Sequence, residues 1–311
     1  MTALGKFIGK FSRLRVDRSK GAPAPHKPIL LLSIITEIEK GNITGNKIYI
    51  TPELVAQFKD YWHQLVDNPI FSSNFSLPFY HLKSDGFWFL NTFVGKEILL
   101  TSSHSIKSFG QLKDVIDFAS FDETLYQLLI TANTRELLQN TLLDVYFNNA
   151  GIFESNKIIA EISNQILHDS AAIYKTRAEQ FDEEEVFVRG GVFKKEIPRI
   201  YNHTCCISGM RIITNDSIQM IDACHIIPFS ESHDDTICNG ISLCPNLHRA
   251  FDRGLISIDD NYKVLIKAFT EDNAVYSIKQ FEGKQILLPS TKDYYPSQTN
   301  LSLHRKRFKY C

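Results

Sequence analysis

Three side chains in the last third of the chain, His225, Asn239 and His248, are of types that together can hydrolyse a phosphodiester. Asn239 lies fourteen residues after His225, and His248 nine after Asn239. A neutral imidazole can take a proton from water near pH 7. The phosphate and the departing 3′-oxygen then gain negative charge, which a divalent cation stabilises without any proton transfer. His225 is accordingly the candidate general base and His248 the candidate metal ligand. Asn239 is expected to pin the intervening loop through side-chain hydrogen bonds and to orient the base. Asp222, three residues before His225, is a second candidate ligand or a base-orienting carboxylate. Arg249 and Arg253 flank the helix of His248 and are placed to hold the scissile or an adjacent phosphate. Mg²⁺ or Mn²⁺ is the expected cation.

These residues need a strand, a loop and a helix to bring them together. His225 ends the extended run SIQMIDACHIIPF. The polar loop SESHDDTIC follows, then a short helix around PNLHRAFDRG and a hairpin over LISIDDNYKVLI. The segment from Ile221 to Asp259 resembles the HNH endonuclease family with the ββα-metal fold, in the branch found in bacterial modification-dependent restriction enzymes. The likeness extends upstream to FKKEIPRIYNHTCCISG and downstream to LSLHRKRF, about residues 187–308. His225, Asn239 and His248 match the three residues that name the family, and Asp222 its usual acidic position.

Many members of that family hold a structural zinc in two CxxC pairs. Here Cys206 is followed by Ile207-Ser208-Gly209 and Cys244 by Pro245-Asn246-Leu247, so each pair keeps only its first cysteine. A structural zinc needs four ligands, and none is expected. Cys205, Cys206, Cys224, Cys238, Cys244 and Cys311 read instead as small apolar residues. His203 and His233 read as surface residues; His304, in the basic tail, is placed to touch a phosphate.

The first half is expected to be mostly helical. Pro28 opens a helix carrying Ile29, Leu31, Leu32, Ile35 and Ile38 up to Gly41. Thr51-Pro52-Glu53 opens another, with Leu54, Phe58, Trp62 and Leu65 on its buried face. Asn133 and Glu136 read as a capping box ahead of Leu137, Leu138, Leu142 and Val145. LPFYHLKSDGFWFL reads as a hairpin turning at Asp85-Gly86. Together with GAPAPHKPILLL, this stretch resembles the sulfur-binding domain of phosphorothioate-dependent restriction endonucleases, over about residues 5–150. The resemblance implies recognition of DNA carrying sulfur in place of a non-bridging phosphate oxygen. Sulfur is larger and less hydrated than oxygen, so apolar contact should favour it. Pro78, Phe79 and Tyr80 could supply that surface, beside His81; by composition alone, Phe79 and Tyr80 read equally as core strand aromatics. Arg18, His26 and Lys27 could neutralise neighbouring phosphates.

Apolar residues make up 43% and charged residues 22%, an ordinary globular balance. A net charge of −1 gives no overall nucleic-acid signal. Charge is local: residues 1–27 hold seven Lys or Arg against Asp17 alone, and acids gather from Glu179 to Glu185. No run is long and apolar enough for a membrane span, and no signal peptide is apparent, so a cytoplasmic protein is expected. The fold class is α+β, in two domains. Residues 1–165 form a mostly helical DNA reader with a β-hairpin, 166–190 a connector, and 191–311 the ββα-metal nuclease. DNA is the expected partner, phosphorothioate-modified duplex above all, and a homodimer is one way to cut both strands. Competing readings are a defence nuclease that reads methylated or other DNA, and a DNA-binding module without catalysis. The intact His225, Asn239 and His248 argue against the last.

Overall fold

The computed structural model describes residues 2–97, 106, 108–148, 156–212, 214, 219–269 and 276–310. Ser217 and Ile218, at the start of the expected extended run, lie outside the described residues, as does Cys311. Contacts divide the α+β chain into two units. The first is Met1–Ala160 with Asp182–Val188, the second Glu161–Phe181 with Arg189–Cys311. The expected connector therefore contributes residues to both.

In the first unit, helix α1 (Ala3–Phe11) is followed by α2 (His26–Glu39), α3 (Pro52–Leu65) and α4 (Ser76–His81). Strand β1 (Trp88–Thr92), α5 (Phe109–Val115), β2 (Ile116–Phe121), α6 (Glu123–Ile130) and α7 (Ala132–Phe147) complete it. Helix α2 is buried on every face from Lys27 to Ile38. It packs on α3, α4, α6 and α7, as a helix apolar all round must. Pro28 sits within its first turn, where no backbone N–H is needed. Thr51 caps α3 by accepting from the Leu54 N–H at 3.2 Å.

Two local expectations are corrected. LPFYHL forms α4 and not a strand, and a 3₁₀ turn over Leu82–Asp85 follows it, ended by Gly86 at φ +69°. Strand β1 pairs antiparallel with β2, Trp88 opposite Phe121, so Asp85-Gly86 is not a hairpin turn. A contact remote in sequence supports the helix: Glu184 accepts from the Phe75 N–H at 2.8 Å, placing a carboxyl group at the start of α4. Helix α7 starts after Thr131, two residues before Asn133, with no side-chain capping bond from it, and buries Leu138 and Leu142. Leu137 and Val145 face solvent.

Helices α8 (Lys157–His168), α9 (Ala171–Ala178) and α10 (Glu183–Ile200) lead into the second unit. Strand β3 (Asp222–His225), a turn of helix α11 (Phe229–Ser232), β4 (Gly240–Leu243) and α12 (Pro245–Asp252) form its ββα element. In the antiparallel β3–β4 ladder, Asp222 faces Leu243 and His225 faces Gly240. The expected hairpin is present as β5 (Ile256–Ile258) with β6 (Val264–Ile266). Helix α13 (Gln298–Arg307) packs on β5.

Gly240 is fixed by packing. A Cβ there would lie 2.1 Å from Ile197 Cδ1 and 2.9 Å from Phe193 Cζ. Its absence lets α10 reach the ladder beside His225.

Candidate active site and DNA-binding pocket

His225 is held from two directions in the second unit. Its ring stacks on Phe193, centroids 3.9 Å apart and planes within 6°. Its Nε2–H donates to Asp235 Oδ1 at 2.7 Å, and Tyr174 donates to Asp235 Oδ2 at 3.3 Å. A carboxylate on Nε2 leaves the lone pair on Nδ1, the tautomer a general base requires. Asp235 is buried. In the sequence it is one residue of the polar loop SESHDDTIC, with nothing local to mark it.

Asn239 is fully buried and bonds the loop rather than His225. Its Nδ2 donates to the carbonyls of Ile227 at 2.9 Å and Asp234 at 2.8 Å. Its Oδ1 accepts from the Ile227 N–H and from Asn300 Nδ2, each at 3.0 Å. Asn239 thereby fixes both ends of the segment between His225 and Asp235. The direct orienting contact on the base comes from Asp235.

His248 stands on α12 between two carboxylates. Its Nδ1 is 3.1 Å from Asp222 Oδ2, and its Nε2 is 3.4 Å from Asp252 Oδ2. Cys224 Sγ lies 3.8 Å from Asp252 Oδ1. Cys224, His248 and Asp252 are the one group of three such donors within mutual reach among the described residues. Nitrogen, oxygen and sulfur at this spacing fit a divalent cation. Asp252 follows His248 by four residues, and that helical spacing could have revealed it.

His225, His248 and Asp252 line one cleft of about 330 Å³, together with Lys194 from α10 and Arg307 from α13. Arg307 is held by both oxygens of Glu231 at 2.7 Å. Neither cation has a local sequence signal, because each enters from a distant helix. Arg249 and Arg253 are exposed and line a neighbouring hollow of about 480 Å³ with Asp222, His248 and Asp252. His304 does not reach phosphate: it is buried, stacked on Phe251, and bonded to Ser257 Oγ and the Phe251 carbonyl. Burial lowers its pKa to about 4. Cys205 and Ser208 lie beside Cys244, with Ser208 N–H donating to Cys205 Sγ at 3.4 Å, whereas Leu247 is a buried carbon side chain.

In the first unit, a pocket of about 470 Å³ collects several of the residues expected to touch DNA. Its apolar wall is Val16, Ala24, Phe71, Leu77 and Pro78; its polar part combines Arg15, Lys20, His26, Lys27 and His81 with Asp17, Ser72 and Ser84. Burial, then the charges of Lys27 and Lys83, lower the pKa of His81. Burial also lowers that of His26, whose Nε2 bonds the Ser72 carbonyl at 3.0 Å. Both therefore favour the neutral ring at neutral pH.

Three expected DNA contacts are corrected. Phe79 is fully buried against Phe75 and Trp88, and Tyr80 is 3% exposed, because α4 turns both inward. Its outward residues are Leu77 and His81. Lys27 is buried in an ion pair with Asp85 at 2.6 Å, and its ammonium also bonds the Arg15 carbonyl and Ser84. It lines the pocket with its charge offset by Asp85, rather than standing free for a phosphate. Arg18 is exposed, outside the pocket lining.

The family model for the ScoMcrA-like, DNA sulfur-binding domain matches residues 5–160. A model for HNH endonucleases matches residues 205–259. Among solved structures, the chain is similar to a modification-dependent TagI restriction endonuclease at 22% identity, over 37% of this chain and 36% of that one, with a TM-score of 0.30. It is also similar to the type IV phosphorothioation-dependent restriction endonuclease ScoMcrA at 12% identity, over 78% of this chain and 94% of that one, with a TM-score of 0.35. The chain thus spans about a third of the TagI protein's length. No curated protein matches it. No helix among the described residues is long and apolar enough to cross a membrane.

Proposed function

Because the chain belongs to the ScoMcrA-like DNA sulfur-binding domain family and carries an HNH endonuclease domain, we propose that it is a modification-dependent restriction endonuclease that reads phosphorothioate DNA and hydrolyses phosphodiester bonds. Residues 1–165 read, 191–311 cut, and 166–190 join them. The observation that carries the reading is the His225–Asp235 pair opening on the same cleft as His248 and Asp252.

His225 Nδ1 takes the proton of the attacking water, and the Asp235 carboxylate offsets the charge the ring gains. Lys194 and Arg307 hold the phosphate in the cleft; Arg249 and Arg253 hold a neighbouring one. Asn239 keeps the loop from shifting His225 relative to Asp235. His248, with Asp252 or Asp222, is placed to hold a divalent cation. Such a cation, Mg²⁺ or Mn²⁺ in the simplest case, supplies positive charge opposite the developing oxyanions. One such site cuts one strand per event, so double-strand cutting would bring two copies to the DNA.

Sulfur is read in the pocket of the first unit. Leu77, Phe71, Ala24 and Pro78 offer the apolar contact that a poorly hydrated atom prefers. Arg15, Lys20 and the exposed Arg18 contribute charge that both kinds of backbone feel equally. Competition binding with matched duplexes, one phosphorothioate and one ordinary, separates these terms. Leu77→Ser should shrink the preference for sulfur, whereas Lys20→Ala should weaken both duplexes together. A wild-type preference near one would remove the sulfur reading and favour a methylated base.

A further inference from the structure

The imidazole of His248 has carboxylates on both sides, and only one ring nitrogen can carry a metal while the other carries hydrogen. On the Nδ1 side, the donor is Asp222 at 3.1 Å. On the Nε2 side is Asp252 at 3.4 Å, and donor atoms from Cys224, His248 and Asp252, one from each, lie within 4.8 Å of one another. Tetrahedral sites with bonds of roughly 2.0–2.3 Å to nitrogen, oxygen and sulfur have ligand edges of about 3.3–3.8 Å. His248 Nε2 lies 3.4 Å from Oδ2 of Asp252 and Cys224 Sγ 3.8 Å from its Oδ1, and one donor atom from each of the three residues lies within 4.8 Å of the others, slightly wider than those edges.

The surroundings favour the same side. The cleft that contains His225 is lined by His248 and Asp252, and by neither Asp222 nor the fully buried Cys224. A carboxylate accepting Nδ1–H would fix the ring with Nε2 directed at the metal, a common arrangement for ligating histidines. Cys224 is on β3 one residue before the base, so its backbone belongs to the same ladder while its side chain leaves the opposite face of the strand.

We propose that the nuclease metal centre is formed by Cys224 Sγ, His248 Nε2 and Asp252, with Asp222 holding His248 and not the metal. This rests on the nuclease reading and deepens it. The predicted consequence is a centre that binds thiophilic divalent ions such as Co²⁺ or Zn²⁺ more tightly than Mg²⁺, because thiolate is a soft ligand. On binding, the Cys224 S–H bond breaks, its proton passes to the buffer, and a sulfur–metal bond replaces a metal–water bond.

Cobalt absorption of the full-length protein tests this without measuring activity. The expected result is a visible d–d spectrum together with a near-ultraviolet sulfur-to-cobalt charge-transfer band. That band should persist in the Cys205→Ser, Cys244→Ser double variant and vanish in Cys224→Ser. A d–d spectrum with no charge-transfer band, or a band lost only in the double variant, overturns the role of Cys224 and leaves the nuclease reading standing. No cobalt spectrum at all overturns both. Should Cys224→Ser not fold, Asp252→Asn at an exposed position serves instead. It should weaken cobalt binding by more than the roughly 10–100-fold typical of losing a partner bonded only to a ligand. Unchanged affinity there also overturns the proposal.

Discussion

Asp235 decides what His225 can do. An amide at position 235 could present its own N–H to the ring and so stabilise the tautomer that has no lone pair facing the cleft. His225→Ala should lower cleavage by about 10²–10⁴-fold and leave DNA binding intact. Asp235→Asn should fall in the same range. Single-turnover cleavage at near wild-type rate in either variant would remove that residue from the mechanism. His304 makes a different prediction. Its folded pKa is lowered to about 4 from an ordinary value of 6.5. Between those values the unfolded chain holds one more proton than the folded one, so stability falls as pH drops through that window. Above pH 6.5 the contribution is constant. Thermal unfolding from pH 7 to pH 4.5 should show a smaller acid-side loss in His304→Gln than in wild type; equal losses would contradict the assignment.

At the scale of elements, the β3–β4 ladder and α10 act together on His225. Gly240 faces His225 across the ladder, and Phe193 and Ile197 occupy the space its side chain would need. Gly240→Ala should destabilise the protein by about 1–3 kcal/mol through overpacking. It should also reduce cleavage, because Phe193, one of the two side chains it would press on, is stacked on the base. Denaturant unfolding and cleavage rate, measured together, test both; a variant with wild-type stability would show that α10 yields without cost. Strand β3 and helix α12 were legible because the pattern changes from an extended apolar run to a polar loop and then a helix, whereas β4, four residues between loop and helix, was not singled out from the residues. Nor was helix α4. A short apolar run containing proline and aromatics fits a strand or a buried helix equally well, and its tertiary partners are remote: Glu184, which bonds its start, is 109 residues from Phe75. The same turn of α4 that buries Phe79 and Tyr80 exposes Leu77, a residue no periodicity singled out.

For the whole molecule, the question is how a weakly charged chain chooses its DNA. With a net charge of −1, bulk attraction to the backbone cannot provide selection. The name-giving histidines and asparagine were readable because phosphodiester chemistry demands those residue types. Lys194, Arg307 and Asp235 were not, since their roles arise only when distant segments meet. The reader pocket combines an apolar wall with nearby cations, so its discrimination should rest on sulfur rather than on charge, and should survive added salt better than overall affinity does. The most direct test is cleavage of one plasmid prepared with and without phosphorothioate links, in Mg²⁺ or Mn²⁺, by wild type and His225→Ala. The predicted result is cutting of the modified plasmid by wild type alone. Equal cutting of both plasmids by wild type, or cutting by His225→Ala at the wild-type rate, would contradict the account.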